Sequence, residues 1–481
     1  MVQTMLLAGR TIMLALAALV LASAASTAAA NARTSIQYRV EGRGWGHGIG
    51  MSQYGAQGYA LQGWSSDRII QHYYTGAVVA PRPSDGPTSL RVLLQSRLAP
   101  ARLQMTSDGI VRQGEATMGL LAGDVVSMRA SGGRITVTRA RTGVPAAVLV
   151  GGGAAAPAIV PDVDGGVRIL FTADHARRGT AFRGTLSGHV FEGAVSIVNT
   201  VPFESYLRGV VPDEMPPSWH PEALEAQAIA ARSYALRGLR RDFDFFDVYS
   251  DTRSQVYGGV DAEERSTDAA IEATAGLVAR VGSASGEVAQ TFFFSTSAGR
   301  TAGNEEVWGS SPYSYLRSVP SPFEQSSPYF FWRGSDIERH TPGSLGAELG
   351  VAGMTSATVR VHPSGYVREV VARGSGGMQR ISGSTVQARM GLRSTYFRLQ
   401  RMSITAPDTV AAGAFVRLTG VIPQSGTTSL QLTRNGTTRT IPLTRNGPNG
   451  TWVVRTRMSG NLLATMTRSG IAGPRVFVRL A

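Results

Sequence analysis

Tyr206-Leu-Arg-Gly-Val-Val-Pro-Asp-Glu-Met-Pro-Pro-Ser-Trp-His-Pro-Glu-Ala-Leu-Glu-Ala-Gln-Ala-Ile-Ala-Ala-Arg-Ser-Tyr-Ala-Leu236 is the densest signal in the chain. Its second half predicts a helix starting at Pro221, where the missing N–H of proline costs nothing and its fixed φ suits the first turn. Leu224, Ala228, Ala231, Ala235 and Leu239 recur at spacings of four and three, one face of that helix. The alanines on that face let another element approach closely. In the first half, Glu214 stands between Pro212 and Pro216 in a stiff loop feeding the helix. Prolines restrict the backbone and hold a carboxylate in place. Met215, Trp219 and the prolines offer it apolar surroundings, which raise a carboxyl pKa. These residues suit a general acid, and equally a solvated loop acid.

Outward from this stretch the patterns alternate. Thr200-Val-Pro202 to Gly209 reads as a short helix with proline at its start and glycine at its stop, and Ser66–Tyr74 as another. A further helix is expected over Thr267–Val281. Val288-Ala-Gln-Thr-Phe-Phe-Phe294 reads as a buried strand, followed by the polar loop Ser295-Thr-Ser-Ala-Gly-Arg300. Residues 85–190 form a β-rich region, with strands such as Ser89–Leu94, Gly133–Thr138 and Val167–Phe171 bounded by turn residues. Gly151–Ala158 is a Gly/Ala-rich linker or loop. In residues 401–481 Asn435-Gly436 marks a hairpin, and further short strands predict a small all-β, sandwich-like domain. The fold class is therefore α+β: a mixed core with an inserted β-rich region and a C-terminal β domain. The expected divisions are 1–30, 31–84, 85–190, 191–400 and 401–481.

Composition narrows the chemistry. The 481 residues are 43% apolar and 17% charged, enough to bury a core. There is no cysteine, which excludes disulfides, thiolate metal sites and cysteine nucleophiles. All 47 basic residues are arginine, so Schiff-base and Walker-type lysine chemistry is excluded as well. Arg10, the apolar run Thr11–Ala22 and the small residues to Ala30 read as a signal peptide cleaved after Ala30, with an uncleaved anchor as the alternative. The expected location is secreted and wall-associated, with no membrane span after cleavage. The formal charge of +14 is uneven. Residues 401–481 carry ten arginines against one acid, Asp408, which suggests an anionic partner such as a wall polymer. Nucleic acid ranks last, because aromatic residues are sparse in that tail. The histidines match no metal-binding spacing, and no cofactor is expected.

A second segment, Gly42-Arg-Gly-Trp-Gly-His-Gly-Ile-Gly-Met-Ser-Gln-Tyr-Gly-Ala56, alternates glycines that let its backbone approach another segment. Together with Val210–Pro216, Glu222–Ala235, Ser254-Gln-Val-Tyr-Gly-Gly259, Phe293–Thr301 and Val307-Trp-Gly309, it resembles the SpoIID/LytB family of stage II sporulation protein D and amidase-enhancer proteins. The resemblance covers roughly residues 31–80 and 190–400. In many relatives the Gly-His-Gly segment follows the other motifs, whereas here it precedes them. It must then return to the same place in space. Some sporulation members carry a His/Cys zinc site before the Ser-Gln-x-Tyr motif. Here that stretch is Asp244–Ser254, without either residue type, and no metal is carried over.

The resemblance implies a peptidoglycan lytic transglycosylase with Glu214 as its catalytic acid, acting on glycan strands with release of 1,6-anhydro products. It implies, alternatively, a non-catalytic wall-binding activator of an amidase. One acid suffices for the first reading, because the C6 hydroxyl of the sugar replaces water as nucleophile. Gln227, Arg232, Tyr234, Gln255, Tyr257, Ser295 and Ser297 are the expected glycan contacts. His47, Gln53 and Tyr54 join them if residues 44–56 fold against the cleft. Each of these can instead be structural. A binding role would tolerate Glu214→Gln; catalysis would not.

Overall fold

The computed structural model describes residues 32–149, 154–164, 166–170, 179–240, 242, 244–423, 427–445, 450–469 and 471–480. The signal-peptide expectation for residues 1–30 lies outside them, as do parts of the Gly/Ala linker. The chain divides into two compact units: Gly44–Phe330, and Met1–Arg43 with Phe331–Ala481. This differs from the division expected at residues 84, 190 and 400. The reason is one long-range pairing. Strand Ala32–Gly42 lies antiparallel to Phe397–Pro407 along its whole length, from Ala32 opposite Pro407 to Gly42 opposite Phe397. Local periodicity carries no sign of such a partner.

In the Gly44–Phe330 unit, helix α1 is Gln53–Leu61, α2 Ser66–Tyr73, α3 Phe203–Arg208, α4 Val211–Glu214, α5 Pro221–Arg237, α6 Arg265–Ala273 and α7 Asn304–Trp308. A seven-stranded sheet runs in the order Val248–Tyr249, Ser89–Leu98, Ala194–Pro202, Thr185–Phe191, Ala158–Pro161, Gly109–Gln113, Ala116–Leu120. A six-stranded sheet is built from Val144–Val148, Arg134–Arg141, Val125–Ser131, Ala101–Met105, Val167–Ile169 and Ala181–Phe182. The two sheets share one core, with Leu90, Val126, Ile159 and Ile197 at its centre. The β-rich insertion is thus continuous with the helical region: Ala228, Ala231 and Ala235 of α5 pack into that same core.

Helix α5 buries more than the one face that its alanine spacing showed. Leu224, Ala226, Ile229 and Ala230 enter a second core with Ile69, Ile70 and Tyr73 of α2 and with Ala56 and Ala60 of α1. A helix buried on more than one face sits inside a protein rather than on its surface. Here its two sides close two cores, and α4 is held at its N-terminal end.

Two expected elements differ. The helix over Thr267–Val281 ends at Ala273, and Leu277–Val281 is a strand paired with Ala77–Pro81. Gly276, at φ +70, makes the break between them. Of Val288–Phe294 only Phe293–Phe294 is strand, paired in parallel with Met51–Ser52.

In the other unit, one five-stranded sheet contains Ala32–Gly42 and Phe397–Pro407, with Glu338–His340, Phe415–Val421 and Thr451–Arg457. A second contains Thr409–Val410, Ile471–Leu480, Leu462–Arg468, Thr428–Arg434 and Thr437–Pro442. Both contribute to one core around Ile404, Leu418, Leu430, Trp452 and Met466. The hairpin at Asn435-Gly436 is present, with both residues at positive φ. A three-stranded sheet, Ser356–Val361, Val367–Gly374 and Gly377–Ser382, accompanies helices α8 (Pro342–Leu349) and α9 (Gly383–Met390).

Candidate active site

Glu214 closes α4, the single turn Val211–Glu214, rather than sitting in an extended loop. Pro212 supplies the first turn and Met215 returns the chain to extended backbone. On a helical turn, neighbours i and i+1 do not face each other. Asp213 is exposed and Glu214 half-buried. Burial pushes the Glu214 carboxyl up to about 7, and the Asp213 charge adds to this. Gln53 opposes it, donating from Nε2 to Oε2 at 3.3 Å. Among the described residues Glu214 has no ion-pair partner.

Gln53 reaches Glu214 because the Gly-His-Gly segment folds back onto the core. Trp45 bridges Thr296, Ile49 bridges Ala302, and Met51–Ser52 pairs with Phe293–Phe294. Gly46 is required by this approach: its φ is +113, and a Cβ there would meet Phe294 Cβ at 2.7 Å. Ser52 caps α1 by accepting from Gly55 N–H, so Gln53 opens the helix facing α4. Tyr54 follows, its ring against Trp219 at 4.8 Å. Tyr234 on α5 and Tyr206 on α3 lie within electrostatic reach of the carboxyl. Burial raises the pKa of both, and the charge of ionised Glu214 adds to the effect. Glu214 is thus held by Gln53, with Tyr234 and Tyr206 within electrostatic reach, and Tyr54 of the Tyr54–Trp219 ring pair adjoins Gln53 in sequence.

Gln227 is fully buried on α5, and neither amide atom has a hydrogen-bond partner among the described residues. Gln255 is buried too; its Oε1 accepts from Tyr206 O–H at 3.3 Å, while Nε2 has no partner among the described residues. Ser295 is half-buried, its hydroxyl 3.1 Å from that of Thr296 and its carbonyl accepting from Tyr54 N–H.

The other expected contacts are engaged inside the protein. Arg232 is fully buried, clamping Glu204 through Nε (3.0 Å) and Nη2 (2.7 Å) and donating from Nη1 to the Leu277 carbonyl. It ties α5 to α3 and to strand Leu277–Val281. Tyr257 is buried between Phe182 and Tyr206, donating to Asn199 Oδ1 at 2.9 Å. His47 accepts from Ile49 N–H at Nδ1 (3.0 Å), which leaves Nε2–H to donate to the Phe293 carbonyl (3.1 Å). Both ring nitrogens are used in the neutral form, and burial lowers its pKa to about 4. Histidine fixed in this way holds its segment in place and does not exchange protons at neutral pH.

Ser297 leads to a residue that the motifs did not single out. Its N–H donates to Glu324 Oε2 at 2.6 Å and its hydroxyl to Oε1 at 2.7 Å. Ser321 Oγ donates to the same oxygen, and Ser321 pairs with Tyr73 O–H at 2.7 Å. Glu324 is fully buried, and desolvation raises its pKa against these hydrogen bonds. A Cβ on Gly55 would strike Tyr73 Oη, Ser321 Oγ and Glu324 Oε1, so only glycine lets α1 rest on this cluster. The local stretch Ser321-Pro-Phe-Glu324 gives no hint of it, because the partners converge from three distant segments. Among the described residues no group of three or more His, Asp or Glu is arranged to hold a metal ion.

Residues 191–280 match the family model for SpoIID, stage II sporulation protein. Stage II sporulation protein D of Bacillus amyloliquefaciens is 30% identical over 223 residues, 42% of this chain and 62% of that protein. The protein of the same name from Bacillus subtilis (strain 168) is 28% identical over 225 residues, covering 44% and 64%. The amidase enhancer of Bacillus subtilis (strain 168) is 39% identical over 108 residues, covering 22% and 14%. The match thus spans less than two thirds of the first two relatives' length. Among solved structures, the sulfur carrier protein SoxY from Chlorobium limicola f thiosulfatophilum aligns over 17% of this chain at 20% identity and a TM-score of 0.14, too slight a likeness for any assignment.

Proposed function

We infer that this chain, a member of the SpoIID family through the domain at residues 191–280, is a cell-wall protein that cleaves peptidoglycan glycan strands as a lytic transglycosylase. The observation that carries this reading is Glu214: one carboxyl, half-buried, with its pKa raised to about 7 and an amide donor on one oxygen. An acid poised near the working pH both gives and takes a proton. Protonated Glu214 donates to the glycosidic oxygen between N-acetylmuramic acid and N-acetylglucosamine as the C1–O bond breaks. The resulting carboxylate accepts the proton of the C6 hydroxyl as O6 closes on C1. The product is a 1,6-anhydro sugar, and no water is consumed. Gln53 favours the carboxylate in the second step. Hydrolysis through two carboxylates needs a second acid across the bond; Asp213, next to Glu214 on the same turn, is not placed for it.

The experiment is mass spectrometry of products released from purified glycan strands by the wild type and by Glu214→Gln. The expected result is 1,6-anhydro termini from the wild type alone. The similarity to an amidase enhancer over 108 residues favours a second reading, a wall-binding activator of an amidase. Equal stimulation of an amidase by both proteins, with no anhydro product from either, would establish that reading instead.

A further inference from the structure

Val307-Trp308-Gly309 contributes nothing to the proton transfers at Glu214, yet it presents an exposed ring held by an ordered loop. Trp308 ends α7 and leaves 44% of its area exposed, and Tyr313 leaves 46%. An exposed aromatic ring held in one orientation offers an apolar face that a ligand can cover. These rings are rigidly held. Asn304, fully buried, donates to Ser310 Oγ (2.9 Å) and to the Ser311 carbonyl (2.8 Å), and accepts from Tyr313 N–H (2.9 Å). One side chain thereby fixes the loop from Gly309 to Tyr313. The indole of Trp308 rests edge-on against Phe292 at 4.6 Å, with His47 at 5.5 Å. The fixed neutral imidazole of His47 thus has a use: it backs the indole.

The same rings lead to the carboxyl. Phe292 packs on Tyr234 at 5.8 Å, and Tyr234 feels the charge of Glu214. We propose that Trp308 is a stacking subsite for a pyranose of the glycan strand at a distance from the cleaved bond. The proposal rests on the glycan-cleaving function given above. A pyranose presents axial C–H groups on one face and hydroxyls around its rim. It therefore covers an exposed indole while its polar groups stay hydrated. An indole already fixed by Phe292, His47 and the Asn304-bound loop loses little freedom when the sugar arrives, so more of the contact appears as affinity. Continuity with the Tyr234 wall favours a sugar of the same strand over a protein partner.

The test measures binding without turnover. Peptide-free glycan strands are titrated calorimetrically into full-length protein carrying Glu214→Gln, alone or with Trp308→Ala or Trp308→Phe. The alanine change should weaken binding about 10-fold, or about 1.4 kcal/mol, and phenylalanine, which keeps a ring face and the Phe292 contact, should restore most of it. Thermal melts of all three show whether the fold is kept. Unchanged affinity in the alanine variant overturns the subsite. So does a phenylalanine variant that binds as weakly as alanine, because the loss is then not one of stacking. A Trp308→Ala protein that binds glycan normally but no longer stimulates an amidase also overturns it and assigns the surface to a protein partner. If the wild type releases no anhydro product while Trp308→Ala still weakens binding, the transglycosylase reading fails and the subsite stands.

Discussion

Glu214 and His47 are displaced from their ordinary pKa values in opposite senses, with consequences for activity and for stability. The acid form of Glu214 performs the first step, so kcat/KM on glycan strands should fall as pH rises through about 7. Glu214→Gln cannot exchange a proton and should lose about 10²–10⁴-fold or more in rate. Anhydro release by the variant at the wild-type rate would remove Glu214 from the mechanism. For stability, a carboxyl raised from 4.5 to about 7 favours the folded state below pH 4.5, and that contribution is lost as pH rises through 7. His47 is lowered from 6.5 to about 4, so its contribution is present above pH 6.5 and lost as pH falls toward 4. Each is on the order of 3 kcal/mol at full extent. Between pH 4.5 and 6.5 the two slopes oppose each other. Glu214→Gln should therefore be more stable than the wild type above pH 7, and its stability should rise with pH across that window. Chemical denaturation at a series of pH values checks this; parallel curves for the two proteins would contradict it.

The element that positions Gln53 is held by Glu324, and the roles of its two oxygens separate the effects of two substitutions. Oε2 accepts from a backbone N–H, which cannot reverse, whereas Oε1 accepts from the hydroxyls of Ser297 and Ser321, which can turn and accept instead. Glu324→Gln can place its oxygen on Ser297 N–H and its amide toward the hydroxyls, so it should fold with near-normal stability. Glu324→Ala leaves the Ser297 N–H with only its longer bond to Ser52 Oγ at 3.3 Å and takes the shared acceptor from the Ser297 and Ser321 hydroxyls, at roughly 1–3 kcal/mol for each buried group left short of a partner. It should lower the melting temperature markedly and, by loosening Ser52 beside Gln53, slow glycan cleavage. Equal melting of the alanine and glutamine variants would count against the clasp. Nothing in the local sequence announces Glu324, since Ser52, Ser297 and Tyr73 meet it only through tertiary folding. Helix α5 and the Asn435-Gly436 hairpin were legible because alanine spacing and turn chemistry act over a few residues. Arg232 carries the same kind of motif signal as Gln53, yet it serves a buried ion pair; residue type in a motif does not say which way the side chain points. The strand after Gly276 was hidden in an apolar run that fits helix or strand alike.

At the scale of the whole chain, the pairing of Ala32–Gly42 with Phe397–Pro407 decides where the protein can be cut. Ending the chain at residue 400, the boundary that composition suggests, removes the partners of Ala32 to Tyr38 and the whole core around Leu418 and Trp452. The stranded segment then offers unpaired N–H and C=O groups along an edge, a template for association. That truncation should aggregate, and its inactivity would say nothing about catalysis. The segment Gly44–Phe330 is different. Both of its cores draw only on residues within it, from Ile49 to Leu316, and Glu214, Gln53, Glu324 and Trp308 all lie inside. Expressed alone, it should be monodisperse by size exclusion, melt cooperatively and release anhydro products from soluble peptide-free glycan. It should also lose retention on isolated walls at low ionic strength, because the ten arginines of residues 401–481 are gone and attraction between exposed charges is what salt screens. A Gly44–Phe330 protein that folds yet keeps full, salt-sensitive wall retention would place the anchoring on the catalytic unit. One that folds but cleaves no soluble glycan, alongside an active full chain, would mean that residues outside Gly44–Phe330 complete the site.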